Sequence, residues 1–371
     1  MATTNISSTD FLGFNDTTGA VQLPSGTTAE RPGSPSNGEM RYNTTDNKVE
    51  YYDGTNWIQV TDYNSSGIAV DYLIVAGGGG GGLYRGGIIG GAGAGGYRTS
   101  YGVSGAACAP ESVLRLNSGT TYTITVGAGG SNPNGFGPPV GDGGVSSVTG
   151  SDITDVESTG GGYAGFINVG FYNPPQVGGS GAGGGYSSNG TFQTNASGIA
   201  CQGTDGRNYD NSNSKIASGG GGGAFQAATA ANTSTLVESK GGAGGSTAIV
   251  STTNATTAGV GEVIGSNLYF AGGGQGVMSS TSTWTNEGGS TGGGVGGGGN
   301  YATSGAANTG GGAGGKVASG LSSQTINGGS GVVILRMATS QYSGTTTGSP
   351  SVFTEGSDTV LVYSGSGTYT A

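Results

Sequence analysis

The sequence predicts an all-β protein: a small N-terminal β-meander, then a β-sandwich whose inserted glycine segments form a bundle of extended threefold helices. Three observations carry this. Glycine accounts for 87 of 371 residues, and all but 12 of them lie between Gly77 and Gly331. That block is opened by an apolar run of strand length at 70–76 and closed by another at 332–336. Ahead of it, two short alternating runs, Met40–Asn43 and Lys48–Tyr52, flank the turn-rich stretch Thr44, Thr45, Asp46 and Asn47.

Taken in order, residues 1–22 are largely polar, with Phe11, Leu12, Phe14 and Val21 among the few apolar side chains. Such a segment reads either as a docking peptide that orders against a partner or as a frayed terminus. Residues 23–66 form the meander, in which Asp53-Gly54 turns the second strand into a third beginning at Trp57. Alternation places Met40, Tyr42, Val49, Tyr51 and Trp57 as its buried face, a core too small to stand alone easily. The meander should therefore lean on copies of itself or on the next domain.

Residues 67–339 form the glycine-rich domain and 340–371 a set of C-terminal strands around 359–363. Within the block, 121–126 alternates as a half-buried strand, and 145–148, 248–250 and 268–270 are shorter candidates. The glycine runs lie at 77–82, 90–96, 178–185, 219–223, 241–245, 272–276, 288–299 and 310–315. Collagen is excluded, since it needs glycine at every third position and abundant proline, and there are 10 prolines. Disorder is disfavoured by 18 Tyr, 9 Phe and the apolar runs. Each ordered glycine costs about 0.5–1 kcal/mol more than alanine, so loose loops would not recover the cost. A threefold helix of the polyproline II type leaves every N–H and C=O pointing outward. Without Cβ atoms such polyglycine type II helices can approach closely and bond to one another, giving a core made of backbone.

The chemistry excluded is extensive. There is no histidine, so histidine acid/base catalysis and histidine metal sites are absent. A net charge of -10 repels a phosphate backbone, which argues against nucleic acid as a partner. The start of the chain has no basic and apolar regions of a secretory signal, and no apolar run reaches membrane-span length, so a soluble protein without membrane insertion is expected. Cys108 and Cys201 are expected as free, packed thiols rather than a bridge, given synthesis in a reducing cytoplasm. The run Gly310 to Lys316 approaches a phosphate-binding loop, but Val317 stands where Ser or Thr must hold magnesium. Asp142 and Asp205 are isolated and do not form calcium-binding repeats. Asp152, Asp155 and Glu157 lie close enough to suggest a glycosidase carboxylate pair, although a solvated acidic turn is the plainer reading. No catalytic residue, metal site or cofactor is expected, and no enzyme.

Two resemblances sharpen the functional expectation. The lead LPSGTTAERP, the RYN strand and the YYDGTNW ending, at about 21–60, resemble a module near the N-termini of bacteriophage tail-fibre and appendage proteins, notably of marine and cyanobacterial phages. The YLIVAGGGGGG opening, the YTITVGAGG strand and the GGSGVVILRM closing resemble the glycine-rich domain of phage fibre proteins. They are more distantly similar to the glycine-rich domain of anaplastic lymphoma kinase-type receptors, and the tip adhesin of T-even long tail fibres is similar in its glycine helices. The resemblance implies a hexagonal bundle beside a jelly-roll-like sandwich, with the strands of 340–371 following the GVVILR motif.

It also implies a virion appendage, assembled in the host cytoplasm as a homotrimer, that recognises a host cell-surface polysaccharide or protein. Phe11, Leu12 and Phe14 would then attach it to other virion proteins. Recognition falls to loop aromatics on the rigid scaffold: Tyr163, Phe166, Phe171 and Tyr172, with Trp284 as a further candidate. The competing reading is that these aromatics cap the bundle or fill the sandwich core. A capsid-mounted decoration fibre without a receptor role, an ice-binding polyglycine protein and a depolymerase are the rival functions.

Overall fold

A computed structural model describes residues 23–60, 67–82, 87–131, 141–168, 171–187, 193–210, 216–234, 237–279, 303–317 and 326–371. The chain divides into two compact units, Met1–Ser66 and Gly67–Ala371.

In the first unit the strands Met40–Asn43, Lys48–Tyr52 and Trp57–Gln59 form an antiparallel meander, and Ser25–Gly26 adds a parallel strand beside the first. Its burial departs from the sequence expectation: Tyr42, Val49 and Trp57 are half-buried, but the expected face is not the covered one. Met40 is 49% and Tyr51 38% exposed, whereas Arg41, Asn43 and Glu50 are buried. The cause is the lead segment, which turns at Thr28–Glu30 and brings backbone carbonyls to the charged face. Arg41 donates to the carbonyls of Glu30 (2.8 Å) and Thr27 (3.0 Å). Glu50 accepts a two-pronged contact from Arg31 (3.1 and 2.6 Å) and a bond from Asn43 Nδ2 (3.1 Å). The buried charges of Arg41 and Glu50 are thereby paired or hydrogen-bonded, the condition under which burying them is tolerable. Trp57 lies on this side too, with Tyr52 at 5.6 Å and the Arg41 guanidinium at 5.9 Å from its ring.

In the second unit two antiparallel sheets form a sandwich. One runs in the order Ser351–Glu355, Asp358–Tyr363, Val332–Ala338, Ile68–Val75, Tyr97–Thr99, with Leu114–Leu116 also paired to Ile68–Val75. The other runs Val156–Ser158, Ser146–Thr149, Thr121–Thr125, Gly367–Thr370, Thr345–Thr347. Residues after 340 thus complete both sheets. Tyr72, Ile74, Leu335, Leu361 and Tyr363 meet Tyr122, Ile124 and Tyr369 in the core between the sheets. The opposite faces of the central strands are covered as well: Leu73, Val75, Ile334 and Val362 pack with Ile249, Leu268 and Phe270. Burial on both faces explains why these strands read as unbroken apolar runs, whereas Thr121–Thr125, covered on one face, alternates. The candidate strand at 248–250 is not one. Strand Gly245–Thr247 precedes it, and Ile249 and Val250 lead into the helix Thr252–Ala258, capped by the Ser251 hydroxyl and by Gly259 in the left-handed region.

The glycine segments continue from the sandwich strands and bond to each other through backbone. Along 90–96 the donors step around three neighbours: Gly91 N to Gly219 O, Ala92 N to Ala313 O, Gly93 N to Gly162 O. The cycle then repeats, with Ala94 N to Gly222 O, Gly95 N to Gly310 O and Gly96 N to Thr159 O. A partner recurring every third residue is the signature of a threefold helix. The same segment accepts from Gly79, Ser180 and Gly274, so six segments surround it. Segment 77–82 likewise has six, at 90–96, 127–130, 141–144, 160–164, 310–313 and 326–329. This is hexagonal packing. A small side-chain cluster of Ile89, Ala92, Ala164, Ala313 and Ile326 is embedded in it.

The cysteines depart from expectation: Cys108 and Cys201 form a disulfide, with Cα atoms 5.3 Å apart. Neither is packed inside, Cys108 being half-buried and Cys201 exposed. They meet because backbone bonds dock their loops, Tyr97 N to Gln202 O (2.9 Å) and Ala106 N to Ala224 O (2.7 Å).

Candidate functional site

The path of the chain gives the bundle two poles. At one, segments 77–82 and 90–96 join the sandwich strands Ile68–Val75 and Tyr97–Thr99. At the other, Gly87–Ile89 pairs with Tyr186–Ser187 and Lys316–Val317, Ile216–Ala217 pairs with Met278–Ser279, and Phe166–Asn168 pairs with Phe171–Asn173. The stretches 83–86, 132–140, 169–170, 188–192, 211–215, 280–302 and 318–325 lie outside the described residues, and each is flanked by residues at this second pole. A backbone-bonded shaft therefore ends, opposite the sandwich, in a set of short paired strands.

The predicted recognition residues distribute as follows. Phe166, Phe171 and Tyr172 belong to the two-stranded hairpin at the second pole, in register Phe166 with Asn173, Ile167 with Tyr172 and Asn168 with Phe171. Tyr163 precedes the hairpin and is buried, 8% exposed, its N–H bonded to Asp142 Oδ1 at 2.9 Å. Burial raises the pKa of both Asp142 and the Tyr163 phenol. Trp284, Phe11, Leu12 and Phe14 lie outside the described residues.

The acidic residues at 152–157 hold turns of the sandwich. Asp152 Oδ2 accepts from the Tyr122 hydroxyl (2.8 Å), and Asp155 Oδ1 from Gly150 N (3.3 Å). Burial first, then the bond to Asp152, pushes the Tyr122 phenol up to about 12. Nearby, Glu111 accepts from the Tyr72 hydroxyl (2.9 Å) and takes both prongs of the Arg98 guanidinium. These groups line an open cleft of about 450 Å³. The phosphate-loop lookalike is inside the bundle, where its amides are occupied: Gly312 N bonds to Gly272 O, Ala313 N to Gly79 O and Gly315 N to Gln275 O. No cradle of free N–H groups remains there for an anion. Among the described residues, no group of three or more acidic or cysteine side chains is placed to hold a metal ion.

Sequence reasoning passed over a second polar cluster. Asp205, Arg207, Asn208, Tyr209 and Asp210 line a cleft of about 330 Å³ on the flank of the bundle, closed on another side by Ala227, Ala230 and Ala231. The available signal was density: three charged residues within six positions, in a chain only 9% charged.

No curated protein and no solved structure matches the chain. A family model described as a glycine-rich domain matches residues 54–338, which takes in the threefold bundle and the sandwich strands that lead into it. With most of its length covered, the chain belongs to that glycine-rich domain family.

Proposed function

We propose that the chain is a structural, non-enzymatic appendage of a bacteriophage virion, a tail fibre or related fibre, that recognises the host surface with the second pole of its bundle. The observation that carries this reading is the segregation just described. A shaft with a backbone interior offers few side chains, and at the pole opposite the sandwich it ends in short paired strands, the Phe166–Asn168 and Phe171–Asn173 pair among them. Rigid scaffolds that display variable loops at one end are suited to recognition. The partner would be a host polysaccharide or protein. Attachment to the virion falls to Phe11, Leu12 and Phe14, and the fibre is a homotrimer. The uncharged, outward apolar face of the meander supports that assembly.

The test is adsorption by a phage carrying Phe171→Ala and Tyr172→Ala in this protein. Aromatic anchors at an interface typically cost about 2 kcal/mol or more when truncated. Adsorption should fall at least about tenfold while virions assemble normally. Unchanged adsorption by a phage with the stable variant fibre would make the hairpin structural and favour a decoration fibre on the capsid.

A further inference from the structure

We propose that the flank cleft at residues 195–231 is a binding site for a neutral saccharide. The argument begins with how its polar side chains are held. Asp205 uses one oxygen, Oδ1, to accept from Gly198 N at 2.9 Å. Asn208 uses Oδ1 to accept from Asn195 N at 2.9 Å. Arg207 uses Nε to donate to Ala228 O at 2.7 Å. Each side chain is thus fixed by one atom to backbone. Among the described residues, Asp205 Oδ2, Asn208 Nδ2 and the Arg207 terminal nitrogens take no further partner. Asp205, Arg207 and Asn208 are all exposed, so these atoms cost no desolvation in the empty site.

The result is a preorganised set of one acceptor and two kinds of donor in a single small cleft. A hydroxyl both donates and accepts, so a pair of neighbouring hydroxyls can satisfy a carboxylate oxygen together with an amide or guanidinium nitrogen. Because Asp205, Arg207 and Asn208 are already anchored, little rotamer freedom is lost on binding. The methyl groups of Ala227, Ala230 and Ala231 and the side chain of Tyr209 complete the wall, giving an apolar surface for the C–H face of a ring. At about 330 Å³ the cleft is at the small end of ligand sites, the size for one or two rings. Charge narrows the class further. Among the described lining residues two carboxylates, Asp205 and Asp210, accompany one guanidinium, Arg207, which disfavours phosphate, sulfate or an acidic sugar. The site lies apart from the hairpin at 166–173 and does not rest on the virion reading.

Saturation-transfer NMR on the purified full chain tests this, with the methyl glycosides of glucose, galactose, mannose and N-acetylglucosamine as probes. At least one should show transfer to its ring protons at millimolar concentration. The decisive variants are Asp205→Asn and Asn208→Asp. Each retains the anchoring Oδ1 acceptor, so melting should be unchanged, but each reverses the hydrogen-bonding sense of the unanchored side-chain atom. Binding should weaken about tenfold or more in both, while the Phe171→Ala, Tyr172→Ala protein binds like the parent. Absence of transfer from all four probes, or transfer unaffected by both cleft variants, would overturn the proposal.

Discussion

A methyl carbon added at Gly221 would stand 1.9 Å from the carbonyl oxygen of Ala92, while one added at Gly365 meets nothing within 4 Å. The obstacle at Gly221 is backbone, which cannot rotate away. Gly221→Val should therefore destabilise the protein by more than about 3 kcal/mol, at the high end of single substitutions. Gly365→Val should melt within a degree or two of the parent, and equal melting of the two variants would show that bundle contacts do not carry the stability. In the meander, Arg31 hydrogen bonds hold the Glu50 carboxyl below its ordinary pKa. The folded pKa being depressed, this contribution is present above the unfolded carboxylate value of about 4.3 and is lost as pH falls through the folded value. The meander should loosen below about pH 4, and Glu50→Gln should remove that dependence while costing about 3 kcal/mol from the unpaired guanidiniums; circular dichroism against pH reads both. The strands around Glu50 were legible in the sequence but the covered face was not. Alternation tells which residues share a face, and only the carbonyls of Thr27 and Glu30, supplied by a lead segment without strand pattern, decided that Arg41 and Glu50 go inside.

Among the elements, the Cys108–Cys201 bridge ties the loop between strands Tyr97–Thr99 and Leu114–Leu116 to a turn among the outer glycine segments. It closes a loop over a separation of 93 residues, which in the chain-entropy account corresponds to about 4.6 kcal/mol. Reductant, or Cys108→Ser with Cys201→Ser, should lower the melting temperature by several degrees. A coincident melting curve would mean that the bridge restricts the unfolded chain far less than its loop length implies. Sequence alone could not find this bond, because spacing carries no pairing information without the docking of the two loops. The helix Thr252–Ala258 was hidden for a different reason. Its four threonines argue for strand, and only Ser251 and Gly259 at its ends mark it as a helix. The sandwich strands, by contrast, stand out as apolar runs because packing requires them on both faces.

For the whole molecule, the meander presents Met40, Tyr51, Ile58 and Val60 outward, each 38–49% exposed, on a face without a charged residue. In a chain of net charge -10 this is a patch on which copies do not repel. Light scattering should give three times the chain mass of 35.6 kDa, and Tyr51→Lys with Ile58→Lys should reduce it to the single-chain value. A parent already at single-chain mass would refute the trimer. That the glycine block forms a bundle was readable from its composition; which segment neighbours which was not, since glycine carries no side chain to encode a partner. The same silence has a consequence for how such a shaft is put in register. Sliding 90–96 by three residues along its neighbours would restore an equivalent set of backbone bonds, whereas sliding by one or two would aim each donor at the wrong segment. Inside the array the three-residue slip is opposed by few side chains, chiefly the cluster of Ile89, Ala92, Ala164, Ala313 and Ile326. Alignment is imposed from outside, by strands such as Ile68–Val75 and Val332–Ala338, whose side chains fit only one pairing. The sandwich thus acts as the template that indexes the shaft, and the natural increment by which a shaft of this kind can lengthen or shorten is one triplet.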